Sequence, residues 1–211
     1  MSKVALVTFL ITVVPLVLTP GPDVLYITTR GVSQGKVAAL VSTCGVCVGY
    51  LIHTALAVAG LTALLYASEI LFELVRYVGA AYLVYLGIRA WRDRTIFEPI
   101  ETHQAPRATA RLFFTGMATS VLNPKGILLF LAYFPQFVSP QAGSVPQQLC
   151  LIGIVFTTLC GLVYGTYAVF SASIGRRIRS APRFADCMRW LTSSVLIGLG
   201  VRLLVADRRI Q

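Results

Sequence analysis

The sequence predicts an all-α membrane protein with six transmembrane helices in a 3+3 inverted repeat, helices one and four being broken. The first ground is composition. Of the 211 residues, 56% are hydrophobic and only 12% charged, with a mean hydropathy of +0.77, where a soluble chain would carry roughly 25% charged residues. The second ground is a weak internal repeat, and the third is a pair of helix-breaking prolines at matching places inside two apolar runs.

Runs of about 18 or more apolar residues read as membrane spans. Six candidates follow one another: Val4–Thr29, Val37–Tyr66, Ile70–Trp91, Leu112–Val138, Gln148–Ile174 and Met188–Ala206. Lys3 ahead of the first run imitates a signal peptide. No small-residue cleavage pattern follows, and the apolar character resumes beyond Pro22, so the run is retained as a span.

The net charge of +10 does not indicate nucleic acid, because of where the charge lies. Twelve of the eighteen Lys and Arg residues fall in alternate connections. These are Arg30 and Lys36, then Arg89, Arg92, Arg94, Arg107 and Arg111, then Arg176, Arg177, Arg179, Arg183 and Arg189. The connection from Ser139 to Gln147 has none. By the positive-inside rule the odd-numbered connections are cytoplasmic and both termini face outward, although Lys3, Arg208 and Arg209 oppose that orientation.

"RYVGAAYLVYLGIRA" from Arg76 aligns without gaps to "RWLTSSVLIGLGVRL" from Arg189, matching Gly87 to Gly200 and Arg89 to Arg202. Upstream, Gly49 pairs with Gly161, Thr54 with Thr166, and Pro22 with Pro124. The chain divides into repeat one (about 1–91), a cytoplasmic linker (about 92–111) and repeat two (about 112–211), together one transporter domain. Three spans per half reverse the second half in the bilayer, and matched interruptions in inverted repeats point to a transporter's binding site. Gly45 and Gly49, like Gly161 and Gly165, are four apart and line one helix face, where small residues let helices approach closely.

The breaks are "LTPGPDVLY" and "VLNPKGILL". Pro20 and Pro22 lack the N–H groups that the carbonyls of Leu16 and Leu18 would accept, so these oxygens need other partners inside a cavity. A helix restarting after such a break offers free N–H groups and a partial positive charge suited to a carboxylate. Pro124 suits a first helical position and Asn123 the cap before it. Substrate binding is expected at Pro20, Gly21, Pro22, Asp23, Asn123, Pro124 and Lys125. Asp23 and Lys125 would hold a substrate's ammonium and carboxylate, or pair with each other when the site is empty.

Ionisable residues at membrane depth are functional candidates by default. Asp23 and His53 are the candidates for carrying a coupling proton, His53 because imidazole titrates near neutral pH. A satisfied contact between helices is the competing explanation for His53. Glu69, Glu73 and Arg76 have the spacing of helix-surface pairs and read as anchors. Trp91, Tyr66 and Trp190 suit an aromatic belt, and Arg89 and Arg202 are expected to snorkel to the headgroups.

Three blocks carry a resemblance. "TPGPDVLYITTRGVSQGKVAALVSTCGVCVGYLIH" is similar to the N-terminal signature of the LysE/RhtB family of small bacterial amino-acid exporters. "VLNPKGILLFLAYFPQFVSPQ" resembles its second-half signature, and "RYVGAAYLVYLGIRAWR" its third span. The resemblance runs over nearly the whole chain and implies six spans and no catalytic chemistry. It further implies export of amino acids or close derivatives across the bacterial cytoplasmic membrane, driven by the proton gradient; the two inverted halves themselves suggest alternating access around the PGP and NPK breaks. It carries over Pro20, Gly21, Pro22, Asp23, Asn123, Pro124 and Lys125 as the paired motifs. Many members have asparagine at the position of Asp23, and others have an acidic residue near Tyr50 that this chain lacks.

Two other readings compete. Cys44 and Cys47 form a C-x-x-C pair suggesting a transmembrane thiol-disulfide electron carrier, but apolar surroundings oppose a reactive thiol. A metal-ion exporter would want soft ligands together, and Cys47 and His53, six apart, do not share a helix face. An enzyme is not indicated, because no H-E-x-x-H and no paired catalytic carboxylates occur. No cofactor or metal is expected, and the five cysteines imply no disulfide framework. The expected partners are the lipid bilayer, a small-molecule substrate and, in an oligomer, further copies of the chain.

Overall fold

The computed structural model describes residues 3–61, 69–92, 108–179 and 182–205. They form eight α-helices and no strand among the described residues. The first apolar run is two helices, α1 (Lys3–Leu18) and α2 (Pro22–Gln34), with a bend of 48° between them. Pro15 sits inside α1 without interrupting it. Breaking the span takes the closely spaced Pro20-Gly21-Pro22, which removes two ladder donors within three residues. Gly35, at φ 87°, then turns the chain straight into α3 (Lys36–Leu56), which continues through wider turns over Ala57–Leu61.

The fourth run breaks in the same way. Helix α5 (Thr109–Val121) stops at Asn123, and α6 (Pro124–Leu128) restarts and runs on through irregular turns to Phe137, again bent by 48°. Between the two breaks lies α4 (Glu69–Arg92), and after them come α7 (Val145–Arg179) and α8 (Pro182–Val205). Helix α3 with its continuation, α7, and each bent pair taken as one are long and apolar enough to cross a membrane. Helices α4 and α8, of 24 residues each, rise about 36 Å and can also cross a core of about 30 Å. They carry ion pairs near their starts and expose Leu74, Val78, Tyr85, Trp91 and Val201 outward.

Close contacts at the glycines give the helix directions. A Cβ at Gly45 would lie 2.1 Å from the Phe113 carbonyl oxygen, and one at Gly49 2.6 Å from Ser120 Cβ, so α3 and α5 run parallel in near contact. Thr54 meets Gly153 and Cys47 meets Gly161, so α3 and α7 are antiparallel. Gly87 packs on Ile197 and the Ser193 carbonyl, while Gly200 packs on Val84 and the Ala80 carbonyl. The expected packing role holds for Gly45 and Gly49, and Gly161 makes ordinary contact with Cys47. Gly165 has open space beside it and packs on nothing, a correction to the expectation for that pair.

The Gly87 and Gly200 contacts are equivalent under the sequence repeat, since Val84 aligns with Ile197 and Ala80 with Ser193. Helices α4 and α8 therefore cross about a local two-fold axis perpendicular to both. The symmetry extends to charge: Arg76 pairs with Glu73 and Arg189 with Asp186, each at 2.8 Å and each three residues apart. Beyond that crossing, where α4 ends and α8 begins, Trp91 and Trp190 meet with ring centroids 5.7 Å apart. The symmetry does not reach Arg202. Rather than snorkelling, Arg202 donates to Tyr133 Oη at 2.9 Å and lies against the rings of Tyr133 and Phe137, correcting the sequence-based expectation, whereas its counterpart Arg89 is exposed. Tyr66, the Glu69 side chain, most of the 92–111 linker and the arginines at 176, 177, 179, 183, 208 and 209 lie outside the described residues or side chains.

Candidate functional site: two helix breaks joined inside the bundle

The prolines that open the first break leave carbonyls without their helical donors, and side chains from the rest of the bundle take those donors' place. The Leu16 oxygen, whose partner would be the N–H of residue 20, accepts from Lys125 Nζ at 2.9 Å. The Leu18 oxygen, orphaned by Pro22, accepts from Tyr167 Oη on α7 at 2.9 Å. Lys125 Nζ also donates to the Thr19 oxygen at 3.2 Å, and Thr192 Oγ1 on α8 reaches the Pro20 oxygen at 3.4 Å. At the second break, Pro124 cannot donate to the Ser120 carbonyl, and His53 on α3 approaches that oxygen at 3.2 Å through Nε2. A carbonyl only accepts, so Nε2 carries the hydrogen. Orphaned backbone oxygens are costly in an apolar interior. The bundle satisfies those of Leu16 and Leu18, and the Ser120 oxygen, which also accepts from the Asn123 N–H at 3.1 Å, gains His53 as a second donor.

The restarted helices are prepared differently. Helix α6 is capped by its own Asn123, whose Oδ1 accepts from the Lys125 backbone N–H at 3.0 Å. Helix α2 begins at Pro22 after an extended Gly21 and carries Asp23 in its first turn, where a carboxylate meets the helix's partial positive charge. Gly21 lies beside the Lys125 side chain, where a Cβ would make only ordinary contact, 3.9 Å from Nζ.

The two breaks meet. Asn123 Nδ2 donates to Asp23 Oδ2 at 2.9 Å, and Tyr50 Oη on α3 donates to the same oxygen at 2.5 Å. The linkage is double and runs one way: the second break's amide donates to the first break's carboxylate, and the second break's ammonium donates to the first break's carbonyls. Asp23 is 2% exposed, and its other oxygen, Oδ1, is buried with no hydrogen-bond partner. Asp23 and Lys125 do not form a direct ion pair, which corrects the expectation that they pair with each other when the site is empty. Lys125 has instead spent two of its three N–H donors on α1.

Beside the site lies an aromatic block. Tyr50 stacks near Phe130 and meets Phe156 edge-on at 4.9 Å, and Phe130 lies 4.4 Å from Phe134, with Phe9 beyond. Tyr164 is buried too, while Tyr26 is only partly buried and donates to the Leu112 carbonyl at 2.8 Å. Sequence reasoning missed the roles of Tyr50, Tyr167 and Thr192. Counting orphaned carbonyls shows that partners must exist, but their identity depends on which helices become neighbours.

Fold and site together define a helical, multi-pass membrane protein organised around two joined helix breaks. The description "LysE type translocator" names the family model that matches residues 14–207, and the chain belongs to that family. An uncharacterized membrane protein of Vibrio cholerae is 35% identical over 199 residues, covering 94% of this chain and 95% of that one. The homoserine/homoserine lactone efflux protein of Salmonella typhi is 32% identical over 171 residues, covering 81% and 82%. The membrane protein YrhP of Bacillus subtilis is 26% identical over 195 residues, covering 89% and 92%. No solved structure matches.

Proposed function

We propose that this chain exports amino acids or close derivatives from the bacterial cytoplasm, exchanging them for protons by alternating access about the two breaks. The observation that carries this reading is the Asp23 carboxylate at the meeting of the breaks, with one oxygen held by Tyr50 and Asn123 and the other buried and unpartnered. A buried acceptor of this kind is costly until it receives a donor, and a substrate's ammonium supplies one. The remaining N–H of Lys125 faces no partner among the described residues and suits the carboxylate of a zwitterion. The cargo named for the Salmonella relatives agrees with this division of labour. Homoserine and its lactone share an amino group, but only homoserine has a free carboxylate, so the amine reader Asp23 is the common anchor.

Alternating access needs two halves that can exchange roles, and the two-fold crossing of α4 and α8 supports an inverted 3+3 repeat. Odd-numbered connections are then cytoplasmic and both termini outside. The proton travels on Asp23, which gives up its ammonium partner and takes a proton for the return. His53 acts as the cap of the Ser120 carbonyl.

That assignment has a direct check. His53→Gln keeps an N–H donor for the Ser120 carbonyl but cannot carry a proton, so export and its uncoupler sensitivity are expected to persist. His53→Leu removes one of that carbonyl's two donors, the Asn123 N–H remaining, and is expected to lower folded protein only slightly. Loss of export in a well-folded His53→Gln protein would move the proton to His53.

The reading as a whole is tested by loading cells with a panel of amino acids, lactones and dipeptides and following their appearance outside. At least one amine-bearing compound is expected to leave faster when the chain is expressed, and an uncoupler is expected to suppress the difference. No accelerated efflux of any of them, with the protein present in the membrane, would refute it.

A further inference from the structure

The open C-terminal end of α1 is a second polar centre beside Asp23. Four carbonyls near that end, those of Leu16, Leu18, Thr19 and Pro20, accept from side chains of three other helices rather than from their own helix. A helix C-terminus carries partial negative charge. Two of these oxygens, from Leu16 and Thr19, converge on one full positive charge, the ammonium of Lys125, at 2.9 and 3.2 Å. The Asp23 carboxylate is joined to the same pair of breaks through Asn123. Unwound carbonyls at a helix end, close to a carboxylate, make the donor set that hard monovalent cations take in broken-helix carriers.

We propose that the Leu16–Thr19 carbonyl nest is a monovalent-cation site whose occupant is built into the chain as Lys125. The ammonium stands where a free Na⁺ or a primary ammonium would otherwise sit. It is tethered to α6, so it occupies the nest without the translational cost of capturing a free ion, though its own rotamers are ordered, and it locks α1 to the second break. The protein consequently needs no free metal cation to hold the first break in shape. Removing the tethered charge creates a site for a free one. This inference does not rest on the exporter reading, because it concerns what stabilises the break, and its test reads stability rather than transport.

The test is thermal unfolding of detergent-solubilised wild type, Lys125→Arg, Lys125→Ala and Lys125→Met. Each is measured in NaCl, methylammonium chloride and choline chloride at equal ionic strength, with the folded fraction followed by size-exclusion chromatography after heating. Wild type and Lys125→Arg are expected to melt at the same temperature in all three salts. Lys125→Ala is expected to melt lower in choline and to recover by roughly 3–6 °C at about ten times Kd of a cation small enough to enter. Recovery in NaCl alone identifies a metal-cation nest, recovery in methylammonium alone an ammonium nest, and either result supports the proposal. Lys125→Met fills the space without charge and is expected to stay low in every salt. Equal melting of Lys125→Ala in all three salts would overturn the proposal. So would a Lys125→Ala protein that gives no folded peak in any salt while Lys125→Arg does, since the nest would then require the tether and not the charge. Wild type responding to Na⁺ as strongly as Lys125→Ala would overturn it as well.

Discussion

Asp23→Ala is expected to abolish export while the protein remains in the membrane in near wild-type amount. The substitution removes the acceptor of Tyr50 Oη and Asn123 Nδ2 and the unpartnered Oδ1 at once. Each stranded donor costs about 1–3 kcal/mol in a soluble core, and hydrogen bonds within membranes average nearer ~0.6 kcal/mol. The bundle's packing lies elsewhere, along the α3–α5, α3–α7 and α4–α8 contacts, so the fold should survive. What disappears is the charge that binds the substrate's amine. Asp23→Asn separates the two contributions. It preserves an acceptor for Tyr50 and a side chain for Asn123 to meet, but it loses the charge-assisted bond to an ammonium, which is worth about 1.5–3 kcal/mol. That corresponds to an apparent affinity weaker by about tenfold to a hundredfold. The measurement is efflux rate against internal substrate concentration, with immunoblots of the membrane fraction as the control for abundance. Full export from Asp23→Ala would remove the carboxylate from the mechanism.

Much of this architecture is legible in the chain. The breaks are readable because proline's missing N–H is a covalent fact, and the two carbonyls it strands in α1, Leu16 and Leu18, can be named from the sequence. Asn123 is readable as a cap because it stands directly before Pro124. The crossing of α4 and α8 is readable in part. Gly87 aligns with Gly200, and Asp186 stands at the same offset from Arg189 as Glu73 does from Arg76, so one repeat register predicts both ion pairs.

The rest depends on which helices become neighbours. Lys125 looks like a partner for Asp23 because both flank breaks, but its long stem carries the ammonium past the carboxylate to α1's carbonyls. Tyr50 is one of several span aromatics, with Tyr26, Phe130 and Tyr164, whose facing the sequence leaves open, and only the packing of α3 against both breaks aims its hydroxyl at Asp23. Arg202 looks like a snorkelling residue at a span end until Tyr133 and Phe137 of the irregular stretch after α6 close over it. In each case local spacing identifies a side chain with something to satisfy, while tertiary packing supplies the partner.

The central claim is that the two breaks touch through Asp23 and Asn123, and a second-site rescue tests it most directly. Asn123→Asp sets two carboxylates face to face where Nδ2 now donates to Oδ2 at 2.9 Å, a like-charge contact in surroundings that screen it poorly. An aspartate in this place still caps α6, so the damage should come from the contact with Asp23. Adding Asp23→Asn reverses the polarity of the bond: the amide nitrogen introduced on α2, set where Oδ2 now lies, would donate one hydrogen to the carboxylate introduced at the α6 cap and the other to Tyr50 Oη, which turns from donor to acceptor. The measurement is the melting temperature of the two single variants and the double variant in detergent. The account predicts that Asn123→Asp melts far below wild type, that Asp23→Asn melts slightly below it, and that the double variant regains most of the loss. A double variant melting at or below Asn123→Asp would contradict the joining of the two breaks.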